Sequence, residues 1–310
     1  MSSKTSLSKD NPIKSEQAKI ISSGSLRLDI ALGTGGYPRG IIIEICGPQA
    51  SGKSTLGNHA VAEAQRVGGT CAWIDADQTF SAQFAHHCGV KVEDLYYSDI
   101  NYLDGALDIL ERLAKSGVFM LIVLDSIPGL ISNSESSRDL EMATEPISFS
   151  PLSETLARIA SEISHNGTIV LFTNQFETKL SAIYHRLSAE PYRLALKLRS
   201  SIRIRLKAHD NIEMRQWGTR IDVQITKNKF RPFLNSTNFD IMYVQGINKS
   251  TEVFDLGVFL KKVEIHSEGY SFRSINLGKT PEQAIDFIER DDRIRNEIES
   301  EIRRLLIPKY

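Results

Sequence analysis

The chain contains Gly47-Pro48-Gln49-Ala50-Ser51-Gly52-Lys53-Ser54, which matches the phosphate-binding loop (Walker A) pattern of Gly, four free positions and Gly-Lys-Ser/Thr. The apolar run Ile41-Ile42-Ile43-Glu44-Ile45 precedes the loop and predicts a buried strand, and Thr55–Arg66 follows it with helix-forming composition. In this order the backbone N–H groups and the helix N-terminus point toward an anion. A surface glycine turn is the alternative. The stretch therefore predicts nucleoside triphosphate binding by the loop and Thr55, with Lys53 on the phosphates and Ser54 on Mg²⁺.

The composition is that of an ordinary soluble globular protein, with 310 residues, 41% hydrophobic and 24% charged side chains. A net charge of −1 predicts no strong attraction of the whole molecule to nucleic acid, so any such binding must come from local clusters. Cys46, Cys71 and Cys88 form no CxxC pair and favour structural thiols in a reducing compartment. No apolar run approaches the ~18 residues of a membrane span. We expect a cytoplasmic protein without a membrane partner.

Apolar runs alternate with amphipathic stretches from residue 41 onward, which predicts an α/β fold with a mostly parallel sheet between helices. The predicted strands are Ile41–Cys46, Cys71–Asp75, Met120–Asp125, Ile169–Thr173, Ser201–Leu206 and Ile221–Lys227. The predicted helices between them are Thr55–Arg66, Ser81–His87, Tyr102–Ser116 and Pro151–His165. We divide the chain into a polar tail (1–19), an α/β core that carries the phosphate loop (20–250) and a small α/β C-terminal domain (251–310).

Acidic and amide side chains end several of these strands. Asp125 ends an apolar strand in the form of a carboxylate that supports Mg²⁺, and Asp75 and Asp77 end the neighbouring strand in the chain. In open α/β sheets such strand ends line the ligand crevice. Taken singly, each acid is more often a plain strand-end residue. After the strand Ile169–Thr173, Asn174-Gln175 places an amide where it can sense a γ-phosphate.

The chain resembles the bacterial RecA-type recombinases from about residue 20 to its end, and its motifs follow the family order. The matching pieces are Ser23–Leu26, Leu28–Gly33, Gly47–Ser54, Thr70–Ala76, Val123–Ser126, Asn174-Gln175, Ala195–Lys197, Lys227–Lys229 and Gln245–Asn248. The resemblance implies a RecA-like phosphate-loop ATPase core, ATP and Mg²⁺ as cofactors, and single-stranded and double-stranded DNA as partners. It also implies a homo-oligomer or filament on DNA that acts in homologous recombination and DNA repair by pairing homologous strands.

Carried over by position, the resemblance gives several residues a role. It places Lys53 and Ser54 on phosphates and Mg²⁺, with Asp125 supporting the metal through water. It makes Gln175 the γ-phosphate sensor that opens the second DNA loop, and it sends Lys227 and Lys229 to a neighbouring subunit's nucleotide. Phe84 matches an aromatic position that stacks on adenine; without the resemblance, a helix core residue is an equal alternative.

The segment 176–207 is basic, with eight Lys and Arg side chains and only two carboxylates. Such a cluster in a chain of net charge −1 is a local footprint for a phosphate backbone, and interleaved aromatic rings favour base stacking. The predicted DNA-binding residues are Lys179, Tyr184, Arg186, Arg193, Lys197 and Arg199. For Arg203, Arg205 and Lys207, one solvated strand face is an equal alternative. The resemblance makes 137–145 the first DNA loop and 176–194 the second.

Four departures from the family bear on activity. Asp77 stands where the family has the glutamate that polarises the attacking water; it is shorter by one methylene, so we predict slow hydrolysis with nucleotide binding intact. The two DNA loops lack the family's glycines, which puts strand-exchange geometry in doubt. A short polar tail replaces the family's N-terminal docking helix, and the acidic C-terminal tail is absent. Because of these changes, a divergent paralogue that binds ATP and DNA as a recombination mediator is the alternative function.

Overall fold

The computed structural model describes residues 19–128, 130, 151–175, 194–209, 217–230 and 234–307. Its strands are β1 Ile20–Ile21, β2 Tyr37–Pro38, β3 Ile42–Gly47, β4 Thr70–Asp75, β5 Leu95–Ser98, β6 Phe119–Asp125, β7 Ile169–Gln175, β8 Ile202–Ala208, β9 Gly218–Asn228, β10 Ser236–Met242, β11 Gly246–Ile247, β12 Val263–His266, β13 Gly269–Phe272 and β14 Ile275–Gly278. Its helices are α1 Leu26–Ala31, α2 Lys53–Arg66, α3 Ala82–His87, α4 Leu103–Ser116, α5 Pro151–Asn166, α6 (residues 194–199), α7 Lys249–Phe259, α8 Pro281–Arg290 and α9 Asp292–Leu306.

The main sheet has nine strands in the order β11-β10-β9-β8-β3-β7-β6-β4-β5. The six strands from β8 to β5 run parallel, and β9, β10 and β11 continue the sheet as antiparallel neighbours. The predicted α/β fold with a mostly parallel sheet is therefore confirmed. The sequence reasoning missed β5 and β11, which lie at the two edges of this sheet, and β10, in which only Phe239 and Ile241 are buried.

Helices cover both faces of this sheet, so its central strands are apolar on both sides. On one face, α2 packs over Ile43 and Ile45 of β3 in a buried cluster that reaches β9 and β10. On the other face, α4 and α5 pack over Ile42 and its neighbours. This two-sided burial explains the nearly continuous apolar runs. Because β3, β4, β6 and β7 are parallel, their carboxyl ends lie at one edge of the sheet.

Strand β8 alternates instead, since Ile202, Ile204 and Leu206 are buried while Arg205 and Lys207 are exposed. Its basic side chains thus share one face of the strand, which is the arrangement that the alternative to DNA binding predicts for β8. Arg203 lies on the same face, and its guanidinium forms an ion pair with the buried carboxylate of Glu44 on β3.

The C-terminal elements form a three-stranded antiparallel sheet, β12-β13-β14, packed with α7, α8 and α9 around a separate apolar cluster. Thr280 caps α8 and Pro281 opens it, a residue pair that favours the start of a helix. Leu26 of α1 joins this cluster, so α1 contacts both parts of the chain. The domain boundary at about residue 250 stays a prediction. Within the described residues, no helix combines the length and apolar character that crossing a membrane requires.

Candidate nucleotide site

The phosphate loop joins the end of β3 to the start of α2 through a backbone that only small residues tolerate. Gly52 lies in the left-handed region with φ of 83°, and a Cβ at this position would meet the Ile241 side chain at 2.4 Å. A Cβ on Gly47 would meet the Leu206 carbonyl at 2.4 Å. Such a loop at the N-terminus of α2 is suited to phosphate, because backbone N–H groups and the positive end of the helix dipole both attract an anion.

Lys53 and Ser51 carry the polar groups inside this loop. The Lys53 side chain is buried, and its ammonium donates a hydrogen bond of 2.7 Å to the Pro48 carbonyl of the loop itself. Burial lowers the pKa of Lys53, whereas the negative charges of Asp125 and Asp77 raise it. The buried Ser51 hydroxyl has no hydrogen-bond partner among the described residues. An unpartnered buried hydroxyl beside a buried ammonium suits the oxygens of a bound phosphate.

Asp125 ends β6 beside Asp75 of β4, because the two residues are partners in the parallel register. It is buried, and the hydroxyls of Thr173 and Ser54 hydrogen-bond its carboxylate. Burial raises the pKa of Asp125, an effect that Asp75 reinforces and that the two hydroxyls and Lys53 oppose. A carboxylate that already contacts the Ser54 hydroxyl matches the hard oxygen ligands that Mg²⁺ takes, so these residues fit the predicted metal.

Asp77 follows β4 and reaches the same edge. The Ser126 hydroxyl donates to Asp77 Oδ2 at 2.8 Å. Burial raises the pKa of the Asp77 carboxyl; the hydrogen bond from Ser126 lowers it, and the charges of Asp125 and Asp75 raise it further. The predicted base thus lies near Asp125 and Lys53. The sequence reasoning assigned no role to Ser126 or Thr173, and their only signal was their place at strand ends.

Gln175 completes this edge, since it ends β7 and is the parallel-register partner of Gly47. It is half-buried. The structure therefore brings Lys53, Ser54, Asp77, Asp125 and Gln175 together around the phosphate loop.

Phe84 lies on α3 with a partly exposed ring, and its N–H donates to the Ser81 cap. It is not among the side chains of the buried clusters. That position is compatible with stacking on a base.

Lys227 and Lys229 lie elsewhere. Strand β9 is antiparallel to β8, and Lys227 pairs in register with Arg203, which in turn pairs with Glu44. Because strands rise about 3.3 Å per residue, Lys227 lies about 10 Å below the level of Gly47, and Lys229 lies lower still. The Lys227 ammonium donates to the carbonyls of Lys197 and Leu198, at 2.8 and 3.1 Å. Within one chain these lysines are not part of the nucleotide site.

The predicted DNA-binding residues divide in two. Lys197 and Arg199 are exposed on α6, directly after the predicted second loop. Lys179, Tyr184, Arg186 and Arg193 lie outside the described residues, as does the predicted first loop at 137–145 and the tail before Lys19. Burial, together with the charges of Lys229 and Arg203, lowers the pKa of Lys227, which lies against the end of the same helix.

Comparison with known proteins adds a family. Residues 3–248 match the model of the RecA N-terminal domain. Protein RecA of Caldanaerobacter subterraneus subsp. tengcongensis is 38% identical over 287 residues, covering 92% of this chain and 84% of that protein. Protein RecA of Nitrobacter winogradskyi is 36% identical over 293 residues, covering 94% and 81%. Protein RecA of Campylobacter fetus is 37% identical over 291 residues, covering 93% and 84%.

A solved structure supports the fold. The crystal structure of the RadB recombinase superposes with a TM-score of 0.55 at 21% sequence identity, covering 74% of this chain and 98% of that one. At this identity the likeness bears on the fold alone, and it agrees with a RecA-like ATPase core.

Proposed function

This chain belongs to the RecA family, and from that membership we propose an ATP-dependent recombinase that binds single-stranded DNA and pairs it with a homologous duplex. RecA proteins act in DNA recombination and repair and are DNA-dependent ATPases in general. The proposal adds the cofactors, the residue roles and the slow turnover for this particular chain. We also propose a cytoplasmic location, which agrees with three cysteines that are all free and buried.

The observation that carries the proposal is the meeting of Lys53, Ser54, Asp125 and Gln175 at one edge of the sheet. Lys53 and the loop N–H groups would hold the phosphates of ATP, and Ser54 and Asp125 would hold Mg²⁺, directly and through water. Bound Mg²⁺ neutralises charge that develops on the phosphates. Gln175 ends β7, and the predicted second DNA loop follows it directly in the chain. A contact between Gln175 and the γ-phosphate would therefore change the position of the DNA-binding loop.

The chain's own residues divide the remaining work. Lys53 exchanges the Pro48 carbonyl for phosphate oxygens, which are stronger acceptors because they are charged. Asp77 orients the attacking water and accepts its proton, while the Ser126 hydroxyl holds the Asp77 carboxylate in place. Asp77 has the charge for this role but a short side chain, and we therefore propose slow hydrolysis with intact ATP binding.

A second copy of the chain would complete the site. Lys227 and Lys229 lie about 10 Å or more from the level of their own phosphate loop, so we assign them to a neighbour's nucleotide in an oligomer or filament on DNA. Lys197, Arg199 and the predicted second loop would contact the DNA backbone, with single-stranded DNA bound first and duplex DNA as the second partner.

The direct test measures ATP turnover with and without single-stranded DNA, beside Lys53→Ala as the inactive control. We expect turnover to rise several-fold with DNA, and filaments to form with a slowly hydrolysed ATP analogue. DNA binding without stimulated turnover or filaments would contradict the proposal and indicate a mediator instead.

A further inference from the structure

Glu44 is a carboxylate at the centre of the main sheet, and its side chain is fully buried at 0% exposure. It lies on β3, three residues before Gly47, between the isoleucines Ile43 and Ile45 that build the core. An unpaired charge at such a position is too costly to keep, so its partners explain why it is there.

Two neighbouring strands supply those partners. From β7, the buried amide of Asn174 donates to Glu44 Oε1 at 3.0 Å. From β8, the guanidinium of Arg203 donates to Glu44 Oε2 and forms an ion pair with it. One carboxylate thus joins the three central strands of the sheet through side chains, in addition to their backbone hydrogen bonds.

Each partner is next to a residue with an assigned role. Asn174 directly precedes Gln175, the predicted γ-phosphate sensor. Arg203 is the register partner of Lys227, and Lys227 donates to the carbonyls that end α6 after the predicted second DNA loop. The positive charge of Arg203 lowers the pKa of Lys227, and the negative charge of Glu44 opposes that effect.

We propose that Glu44 is a positioning residue. It holds β7, which carries Gln175, and the β8–β9 pair, which carries Lys227, in a fixed position relative to the phosphate loop. The role rests on the proposed function, because it concerns how ATP and DNA binding are coupled. Glu44 touches neither ligand. It acts through Asn174 and Arg203, and a small displacement of either would misplace Gln175 or Lys227.

The test is Glu44→Gln, which keeps the shape but places an NH₂ group against the donors of Arg203. We expect ATP binding to be retained and the stimulation of turnover by single-stranded DNA to be largely lost, because a displaced Gln175 or Lys227 no longer couples the two sites. The matched control is Asp240→Asn. Asp240 pairs with Arg220 across β10 and β9 of the same sheet, at 2.7 and 2.9 Å, on the opposite strand face from Ile241, the β10 residue that packs against Gly52. This control should lower stability and keep the stimulation.

Two further variants separate positioning from stability. Glu44→Met with Arg203→Met removes both charges, so it should recover the thermal stability lost in Glu44→Gln without recovering the DNA stimulation. Adding Glu44→Gln to Gln175→Ala should reduce stimulation no further than Gln175→Ala alone, since both act on one contact.

Unchanged stimulation in Glu44→Gln, or an equal loss in Asp240→Asn, would overturn the inference and leave the proposed function intact. Absent stimulation in the unaltered chain would overturn the proposed function and this inference together.

Discussion

Asp77 is the residue that we propose as the base of this nucleotide site, at a position where the family resemblance predicts a glutamate. A carboxylate one methylene shorter than glutamate reaches roughly 1.5 Å less, and a misplacement of about 1 Å can lower a rate by ~10²-fold. Ser126 donates to this carboxylate at 2.8 Å and fixes its direction. The charge is therefore kept and oriented, while its reach is reduced.

Asp77→Glu should raise the rate of ATP hydrolysis by about 10-fold or more, because the longer side chain recovers the missing reach. ATP affinity should stay unchanged, since Lys53 and the loop hold the phosphates. Steady-state kcat and a separate binding measurement check both parts, with Asp77→Asn as the control that loses turnover.

The pH profile offers a second readout of the same residue. Burial raises the pKa of Asp77, and the base works only when deprotonated. As the pH is lowered, turnover should therefore begin to decline at a pH above the ordinary pKa range of an aspartate. If Asp77→Glu does not increase kcat, that result contradicts the assignment of slow hydrolysis to side-chain length.

Among elements, the contact between α1 and α7 joins the ATPase core to the C-terminal part. Glu252 on α7 is fully buried and accepts hydrogen bonds from the Ser25 hydroxyl and the Leu26 N–H, at 2.7 and 2.6 Å. It thus caps the start of α1 from another element. Burial raises the pKa of Glu252 to about 7, although its hydrogen bonds oppose that shift.

The junction should therefore respond to pH. The folded chain keeps the Glu252 proton up to about pH 7, whereas the unfolded chain releases it near the ordinary glutamate pKa of 4.5. Stability from this group is present at low pH and is lost as pH rises between those values, by up to about 3 kcal/mol. Denaturant unfolding of the unaltered chain and of Glu252→Gln, at pH 5 and pH 8, measures the difference.

The unaltered chain must be compared with Glu252→Gln because the titration of His59 changes stability with pH in the opposite direction. Burial lowers the pKa of His59 to about 3, so its protonation destabilises the fold as pH falls below its ordinary range. This contribution is common to both chains and cancels. If the two chains show the same change in unfolding free energy between pH 5 and pH 8, Glu252 does not titrate as proposed.

At the scale of the whole molecule, the residues assigned to one reaction lie at two separate places. Lys53, Asp77, Asp125 and Gln175 share the edge where the parallel strands end, while Lys229 lies at the far end of the antiparallel β9. If Lys227 and Lys229 act on a neighbour's nucleotide, as we propose, a single chain presents half of one site and half of another. This division is the physical reason to expect an assembly.

Mixing two inactive variants tests that expectation. Lys53→Ala removes the phosphate contact, and Lys229→Met removes an exposed lysine assigned to the neighbour's nucleotide; each alone should hydrolyse little ATP. In an equal mixture, about one quarter of the interfaces would join an intact Lys53 to an intact Lys229, so turnover should partly recover.

The control for this mixture is Lys207→Met, another exposed lysine, which should stay active alone. A mixture no more active than its components would contradict a site shared between copies.

The sequence by itself determined the fold class, the phosphate loop and the acids around it, because these depend on local order. A buried strand, a Gly-rich turn and a helix must follow one another in the chain, and parallel strands bring Asp75, Asp125 and Gln175 to one edge. The cap of α8 is local in the same way, since the Thr280 side chain accepts a hydrogen bond from the N–H of Gln283, three residues away.

Only the tertiary structure decided which side chains meet across strands. Glu44 reads as one acid within an apolar run, and its partners Asn174 and Arg203 are more than 120 residues away in the chain. The same holds for Ser126 with Asp77, and for Glu252 with Ser25. Such contacts depend on strand order and register. The central parallel strands are nearly continuous apolar runs without alternation, so their pattern does not fix the register, and the residues that orient the predicted site became visible only in the folded chain.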